Sequence, residues 1–133
     1  MEQTLSIIKP DAVERNLENE IKGIFKSKGF EIINEKKIKI EKSEAEKFYK
    51  VHETKPFYND LCEYLSSGPI VVMILEKKNA VLDNRELMGS TNPKDASEGT
   101  IRKKFGISID KNSVHGSDSI ENAKIEIDFF FKD

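Results

Sequence analysis

Apolar residues fall along this chain in blocks whose spacing switches between the strand and helix periods. "TLSIIK" (4–9) is a short β-branched run closed by Pro10, and it reads as a strand ending in a turn. Leu17, Ile21, Ile24 and Phe25 then fall at i, i+4, i+7 and i+8, with Glu18 and Glu20 in the first turn, Lys26 and Lys28 in the last and Gly29 after them. That pattern is one amphipathic helix with both ends marked. "FEIINEKKIKI" (30–40) is strand-like, most cleanly where Ile38 and Ile40 alternate with Lys37 and Lys39. Ser43 with Glu46 makes a capping-box signature for a helix that must end before Pro56. Phe57, Leu61, Tyr64 and Leu65 repeat the helical spacing until "SSGP" (66–69) ends it. "IVVMIL" (70–75), unbroken between turn signals, predicts a central strand buried on both faces. A further helix is predicted over 79–88, closed by Gly89.

From Ser90 to Ser113 periodicity is weak. A loop that long in a compact domain is usually functional or contains short helices. Beyond it, "SVHG" (113–116) is a candidate fourth strand. Ser117 or Asp118 can cap a last helix with Ile120, Ala123 and Ile127 on its inner face. Strands separated by helical hairpins predict an α+β fold: a ferredoxin-like sandwich, with a four-stranded antiparallel sheet covered by helices. No repeat or linker interrupts the 133 residues, so a single domain over 1–133 is expected.

Composition narrows the classes of function. A formal net charge of −2 argues against a protein that coats nucleic acid, so no nucleic-acid partner is expected and any anion site must be assembled locally. Cys62 stands alone, which leaves no disulfide framework or cysteine-based zinc site and fits a reducing, cytoplasmic location. The start, "MEQTLSIIKP", lacks the pattern of a signal peptide, and "IVVMIL" is too short to span a bilayer, so no membrane association is expected.

The usual backbone cradles for phosphate are missing, because the seven glycines never fall into G-x-x-x-x-G-K-[ST] or G-x-G-x-x-G. Side chains would have to do that work. Lys9 at a strand end, Arg85, and Arg102 in the long loop are candidates, arginine for bidentate oxyanion contacts and lysine as a point charge. Each alone is weak evidence, because the default reading of a lone Lys or Arg is a solvated surface charge. His115 is a sharper signal. It directly precedes Gly116, and Glu126 lies about three helical turns further on, on the side that carries Ser119 and Asn122. A carboxylate accepting the Nδ1 proton would fix the tautomer and leave Nε2 with a free lone pair. On spacing alone a nucleophile, a general base, a pH sensor and a histidine satisfied by a main-chain carbonyl all remain open.

"NSVHGSDSIENAKIEIDFFF" (112–131) resembles the active-site signature of nucleoside diphosphate kinases, N-x-x-H-G-S-D-S followed by an alanine and a Glu-Ile pair. "IIKPDAVERN" (7–16), "KGFEI" (28–32), "KPFY" (55–58), "SGPIVVMILE" (67–76), "NRELMGSTNP" (84–93) and "GTIRKKFG" (99–106) resemble that family in the same order, so the likeness covers essentially the whole chain. It implies that His115 takes the γ-phosphoryl group of ATP or another nucleoside triphosphate and passes it to a diphosphate, in ping-pong fashion. It also implies that Glu126 holds the Nδ1 of His115 and that Ser117 bonds that glutamate. Lys9, Tyr49, Arg85, Thr91, Arg102 and Asn112 match positions that contact phosphates and ribose, and Lys9 joins the catalytic group. Phe57 matches the aromatic that stacks on the base, with Leu61 and Ile109 completing an apolar slot. Asp118 matches a carboxylate near the phosphates and the Mg2+ that the nucleotide carries. The family also implies a homo-oligomer, tetramer or hexamer.

Three positions depart from the pattern. Asn19 replaces a usual glycine and is read as a helix cap, Glu98 replaces a proline common in the long loop, and the chain stops two residues after "FFF". A catalytically silent module on the same scaffold is the competing reading. The joint presence of His115, Glu126 and Lys9 argues against it.

Overall fold

The computed structural model describes residues 1–131. Its sheet is built around β3 (Ile70–Lys77), which sends Val71, Met73 and Leu75 to one face and Ile70 and Val72 to the other, all buried. Burial on both sides is why that run shows no polar alternation. β1 (Glu2–Ile8) pairs antiparallel with β3, and β2 (Glu31–Ile38) pairs antiparallel on its other side. A three-residue β4 (Val114–Gly116) pairs antiparallel with β1, giving the order β2-β3-β1-β4. One face is covered by α1 (Pro10–Glu14), α2 (Glu18–Ser27), α5 (Ala80–Met88) and α6 (Ile101–Phe105), through side chains such as Val13, Phe25, Met88 and Phe105. The other face is covered by α3 (Lys42–Phe48), α4 (Tyr58–Leu65) and α7 (Ile120–Phe131), through Ala45, Leu65 and Phe130. This is the predicted α+β sandwich. β2 is its exposed edge, with a register shift between Ile32 and Asn34 and the charged stretch Glu35–Lys37, features that blunt an open edge.

Several local expectations change in the folded chain. Pro10 does not close a turn after the strand. It opens α1, where the missing N–H falls on a position without an intrahelical partner. Leu17 is the N-cap of α2, and Asn19 lies inside its first turn. The capping box of α3 is formed by Glu41 and Glu44 rather than Ser43 and Glu46, with the Glu44 carboxylate accepting the Glu41 N–H at 3.2 Å. α3 then gives way to a 3-10 turn over Lys50–His52 before Pro56 is reached. Ser119 caps α7 by accepting the Asn122 N–H at 3.0 Å, in place of Ser117 or Asp118. Ile120 is 53% exposed, so the inner face of α7 is carried by Ala123, Ile127 and Phe130.

The long loop contains a 3-10 turn at Pro93–Asp95 and then α6. Glu98 sits in a turn held by the Thr100 N–H on the Ser97 carbonyl (3.2 Å) and by Gly99 at φ +88°; Thr100 then caps α6. Lys132 and Asp133, on which the expectation about the short C-terminus falls, lie outside the described residues.

Candidate active site

Strand pairing aims the histidine. β4 lies on β1 with Ile7 opposite His115 and Ser6 opposite Gly116. Residues directly opposite share a face, so His115 points with Ile7 toward α3 and α7, while Gly116 points toward α5. Gly116 is required for that approach: a Cβ there would come 2.7 Å from Met88 Cε and closer still to Asn84 Nδ2. α5 therefore packs directly on β4.

The first constellation is charge against ring. His115 Nε2 lies 3.0 Å from Glu126 Oε1, and the Ser117 hydroxyl donates to the same oxygen at 2.8 Å. Ser117 is fully buried and tied to β1, its N–H on the Leu5 carbonyl (3.2 Å) and its Oγ accepting the Leu5 N–H (3.2 Å). The expectation that Glu126 holds Nδ1 is thereby corrected. A side chain reaching from β4 across to α7 presents its distal nitrogen first, so Nε2 meets the carboxylate and the lone pair left for chemistry is on Nδ1. Phe48 adds an apolar wall, its ring edge-on to the imidazole at 5.3 Å and braced by Phe129 and Phe130. Sequence reading missed Phe48, whose spacing does not separate it from ordinary core residues.

The second constellation is cationic. Lys9 Nζ donates to Asn112 Oδ1 at 2.9 Å, and Asn112 Nδ2 donates to the Thr91 carbonyl at 3.1 Å. Arg102 donates through Nη2 to the Val114 carbonyl (2.9 Å) and through Nη1 to the Gly89 carbonyl (3.0 Å). Arg85 reaches the Asp118 carbonyl at 3.5 Å, and with Thr91 and Arg102 it lines a cavity of about 360 Å³. Burial, and then the neighbouring Arg102, push the Lys9 ammonium down to about 8, against the pull of Asp11 and Asp110. Burial and then Arg85 lower Arg102 to about 10. Cations crowded together in this way are relieved by an anion, which is what such a cavity is suited to receive.

The third constellation is a row of rings leading outward. Tyr49 is buried, and burial raises its phenol above the usual range. His52 follows at 6.2 Å and Phe57, 43% exposed, at 6.0 Å from His52. His52 had no role in the sequence reading. Burial, and then Lys55, push its imidazole below the usual range, with Asp118 pulling the other way. Leu61 packs against the core beneath this row, whereas Ile109 is 54% exposed beside the bond from the Ile107 N–H to the Lys111 carbonyl. Asp118 is exposed, with Oδ1 accepting from Asn122 Nδ2 at 2.6 Å. No group of three His, Cys, Asp or Glu able to hold a metal ion occurs among the described residues, so an ion here would need ligands from a bound phosphate. Among the described residues no helix is long and apolar enough to cross a membrane.

Comparison with known proteins gives a consistent result. A family model described as nucleoside diphosphate kinase matches residues 2–133. A nucleoside diphosphate kinase of Campylobacter lari is 60% identical over 131 residues, 98% of this chain and 96% of that protein. One from Campylobacter jejuni is 59% identical over 132 residues, 99% and 96% of the two chains. The Aquifex aeolicus nucleoside diphosphate kinase structure superimposes with a TM-score of 0.97 at 40% identity, covering 98% of this chain and 95% of that one. The Encephalitozoon cuniculi enzyme gives 0.96 at 39% identity, covering 100% and 90%. The chain therefore belongs to the nucleoside diphosphate kinase family, enzymes that move the terminal phosphoryl group of a nucleoside triphosphate to a nucleoside diphosphate through a phosphohistidine.

Proposed function

We propose that His115 is the residue that carries the phosphoryl group, on Nδ1, and that one kinase domain over 1–133 serves nucleoside di- and triphosphates, ATP among them, and so maintains the NTP and dNTP pools. The observation that supports this most directly is the convergence of His115 Nε2 and Ser117 Oγ on a single Glu126 oxygen. With the Nε2 proton donated to Glu126, the Nδ1 lone pair attacks the γ-phosphorus. The bond from that phosphorus to the β-γ bridging oxygen breaks, and its electrons leave with the diphosphate. The positive charge gained by the ring is balanced by the Glu126 carboxylate it already faces. In the second half-reaction a terminal oxygen of the acceptor diphosphate attacks the phosphorus, the N–P bond breaks, and the electron pair returns to Nδ1. One site thus serves donor and acceptor in turn.

Lys9, Arg85 and Arg102 spread positive potential over the equatorial oxygens during transfer, and Asn112, Thr91 and Tyr49 fix the phosphates and ribose. Asp118, exposed at the mouth, would lie near a Mg2+ carried by the nucleotide, and that ion would neutralise phosphate charge. Phe57 stacks on the base, flanked by Leu61 and Ile109. Because every base has a π-face, this contact favours broad acceptance. Comparable kcat/KM for adenine, guanine, cytosine and uracil diphosphates is expected; a preference of several orders of magnitude for one would refute the stacking role.

The unpaired β2 edge, with Ile33 44% exposed, supports assembly into a homo-oligomer, a tetramer or hexamer, to be measured by light scattering. The lone buried thiol of Cys62 supports a cytoplasmic setting. The histidine assignment is tested by incubating the protein with Mg2+ and γ-labelled ATP. Acid-labile, base-stable label is expected on the wild type and absent from His115→Ala; undiminished label on that variant would refute it.

A further inference from the structure

Two residues before His115 the backbone takes a conformation that L-residues avoid. Ser113 is fully buried at φ +74°, and the Val114 N–H bonds back to the Asn112 carbonyl at 2.9 Å. A hydrogen bond from residue i+2 to i across a positive-φ centre makes a γ-turn of the rare, strained kind. Such a turn persists only where its surroundings over-determine it.

The surroundings here are a cluster of hydrogen bonds centred on Asp11. The Ser113 hydroxyl donates to Asp11 Oδ2 at 2.8 Å. Arg15 Nη2 donates to the same Asp11 oxygen (3.0 Å), to Ser113 Oγ (3.2 Å) and to the Phe105 carbonyl (2.7 Å). The Tyr64 hydroxyl donates to Asp11 Oδ1 and accepts the Asp11 N–H at 2.8 Å. Burial and that bond hold the phenol above its usual range, so it remains a donor. The Ser113 carbonyl accepts the Lys9 N–H at 2.8 Å. Asp11 is 5% exposed and is the hub: it joins α1, α4 and Ser113 through one carboxylate, and Arg15 links α6 to the same point.

The γ-turn sets the offset between two groups of the proposed chemistry. Asn112, just before it, holds Lys9; His115, just after it, faces Glu126. We infer that Asp11, braced by Tyr64 and Arg15, is a positioning residue for phosphoryl transfer, acting by clamping Ser113 in the γ-turn that sets the spacing of Asn112 and His115. This rests on His115 being the phosphorylated residue. A purely structural staple between helices would alter stability without altering the transfer step in the folded enzyme, and it would not depend on Ser113.

The test is a double-substitution cycle on the rate of phosphohistidine formation. Wild type, Asp11→Asn, Ser113→Gly and the double variant are mixed with Mg2+ and γ-labelled ATP in a rapid-quench instrument, below any melting transition, with ADP affinity measured alongside. Asp11→Asn is expected to slow labelling by about tenfold, with a smaller change in ADP affinity. Glycine adopts positive φ without strain and has no hydroxyl to clamp, so in the Ser113→Gly background the same substitution is expected to cost less than about twofold. Should Asp11→Asn not fold, Tyr64→Phe, which removes a single hydroxyl, replaces it in both backgrounds. Equal losses in the two backgrounds, or no loss of rate in the serine background, would overturn the clamp while the wild type still labels on His115. A wild type that fails to label overturns the His115 assignment and the clamp together.

Discussion

Glu126→Gln isolates the contribution of a single charge. Both bonds at this carboxylate converge on Oε1, from His115 Nε2 at 3.0 Å and from Ser117 Oγ at 2.8 Å. The oxygen of a glutamine amide can accept both, so the geometry survives and only the ionic character of the acceptor is lost. Hydrogen bonds to charged groups contribute about 1.5–3 kcal/mol and neutral ones about 0.5–1.5, so converting both bonds costs about 2 kcal/mol. At 1.36 kcal/mol per tenfold, that is roughly a 30-fold slower transfer, if the full cost is felt as the ring gains positive charge. Glu126 touches the ring and Ser117, so nucleotide affinity should change by less than about twofold, the pattern of an interaction made in the transition state. Rapid-quench labelling with γ-labelled ATP gives the rate, and ADP titration gives the affinity. Ser117→Ala, which removes one of the two bonds, should fall between wild type and Glu126→Gln. A rate within about threefold of wild type, or a loss confined to affinity, would refute the role given to the carboxylate.

Three other outcomes are expected. Lys9 has a folded pKa of about 8 against 10.5 for a free lysine, so the unfolded chain binds the extra proton between those values and stability rises with pH across that window. Below pH 8 the full cost, about 3 kcal/mol, is present; Lys9→Met should therefore be the more stable protein at pH 7 in urea titrations, with an advantage that vanishes toward pH 10.5. Gly116→Ala should lower stability by about 1–3 kcal/mol, because the new methyl meets Met88 and the fully buried Asn84; an unchanged melting temperature would show that α5 can move away. Phe57→Ala should raise KM by roughly 5- to 150-fold for every base alike, the equivalent of one lost stacking contact of about 1–3 kcal/mol, and a loss confined to purines would contradict a sequence-blind stack.

What was legible beforehand followed periodicity. β3 could be read because a strand buried on both faces has to be apolar at every position, and α2 because its stripe is long enough to repeat. α1 could not be read, since five residues with one buried stretch carry no period and Pro10 suits a helix start as well as a turn. The caps moved by one or two residues because Ser, Asp and Glu can each accept the orphan N–H groups, and only packing chooses among them. The cations and the histidine were legible through the family resemblance. Phe48, His52 and the Asp11 cluster were not: Phe48 meets His115, and Asp11 meets Tyr64 and Ser113, more than fifty residues away, while the nearby rings of Tyr49 and Phe57 give His52 no period that marks it.

The choice of nitrogen on His115 shows where local reading has to stop. β4 has three residues, too few to set its own register. Sliding it by one residue along β1 would turn Val114 or Gly116 toward α7 and send the imidazole into the core beside Met88. Register is held from both ends, by the paired bonds between Leu5 and Ser117 and by the Lys9 N–H on the Ser113 carbonyl. Each joins residues more than a hundred positions apart in the chain. Spacing from His115 to Glu126 therefore established that a carboxylate could reach the ring, and long-range closure of the sheet decided which nitrogen it meets.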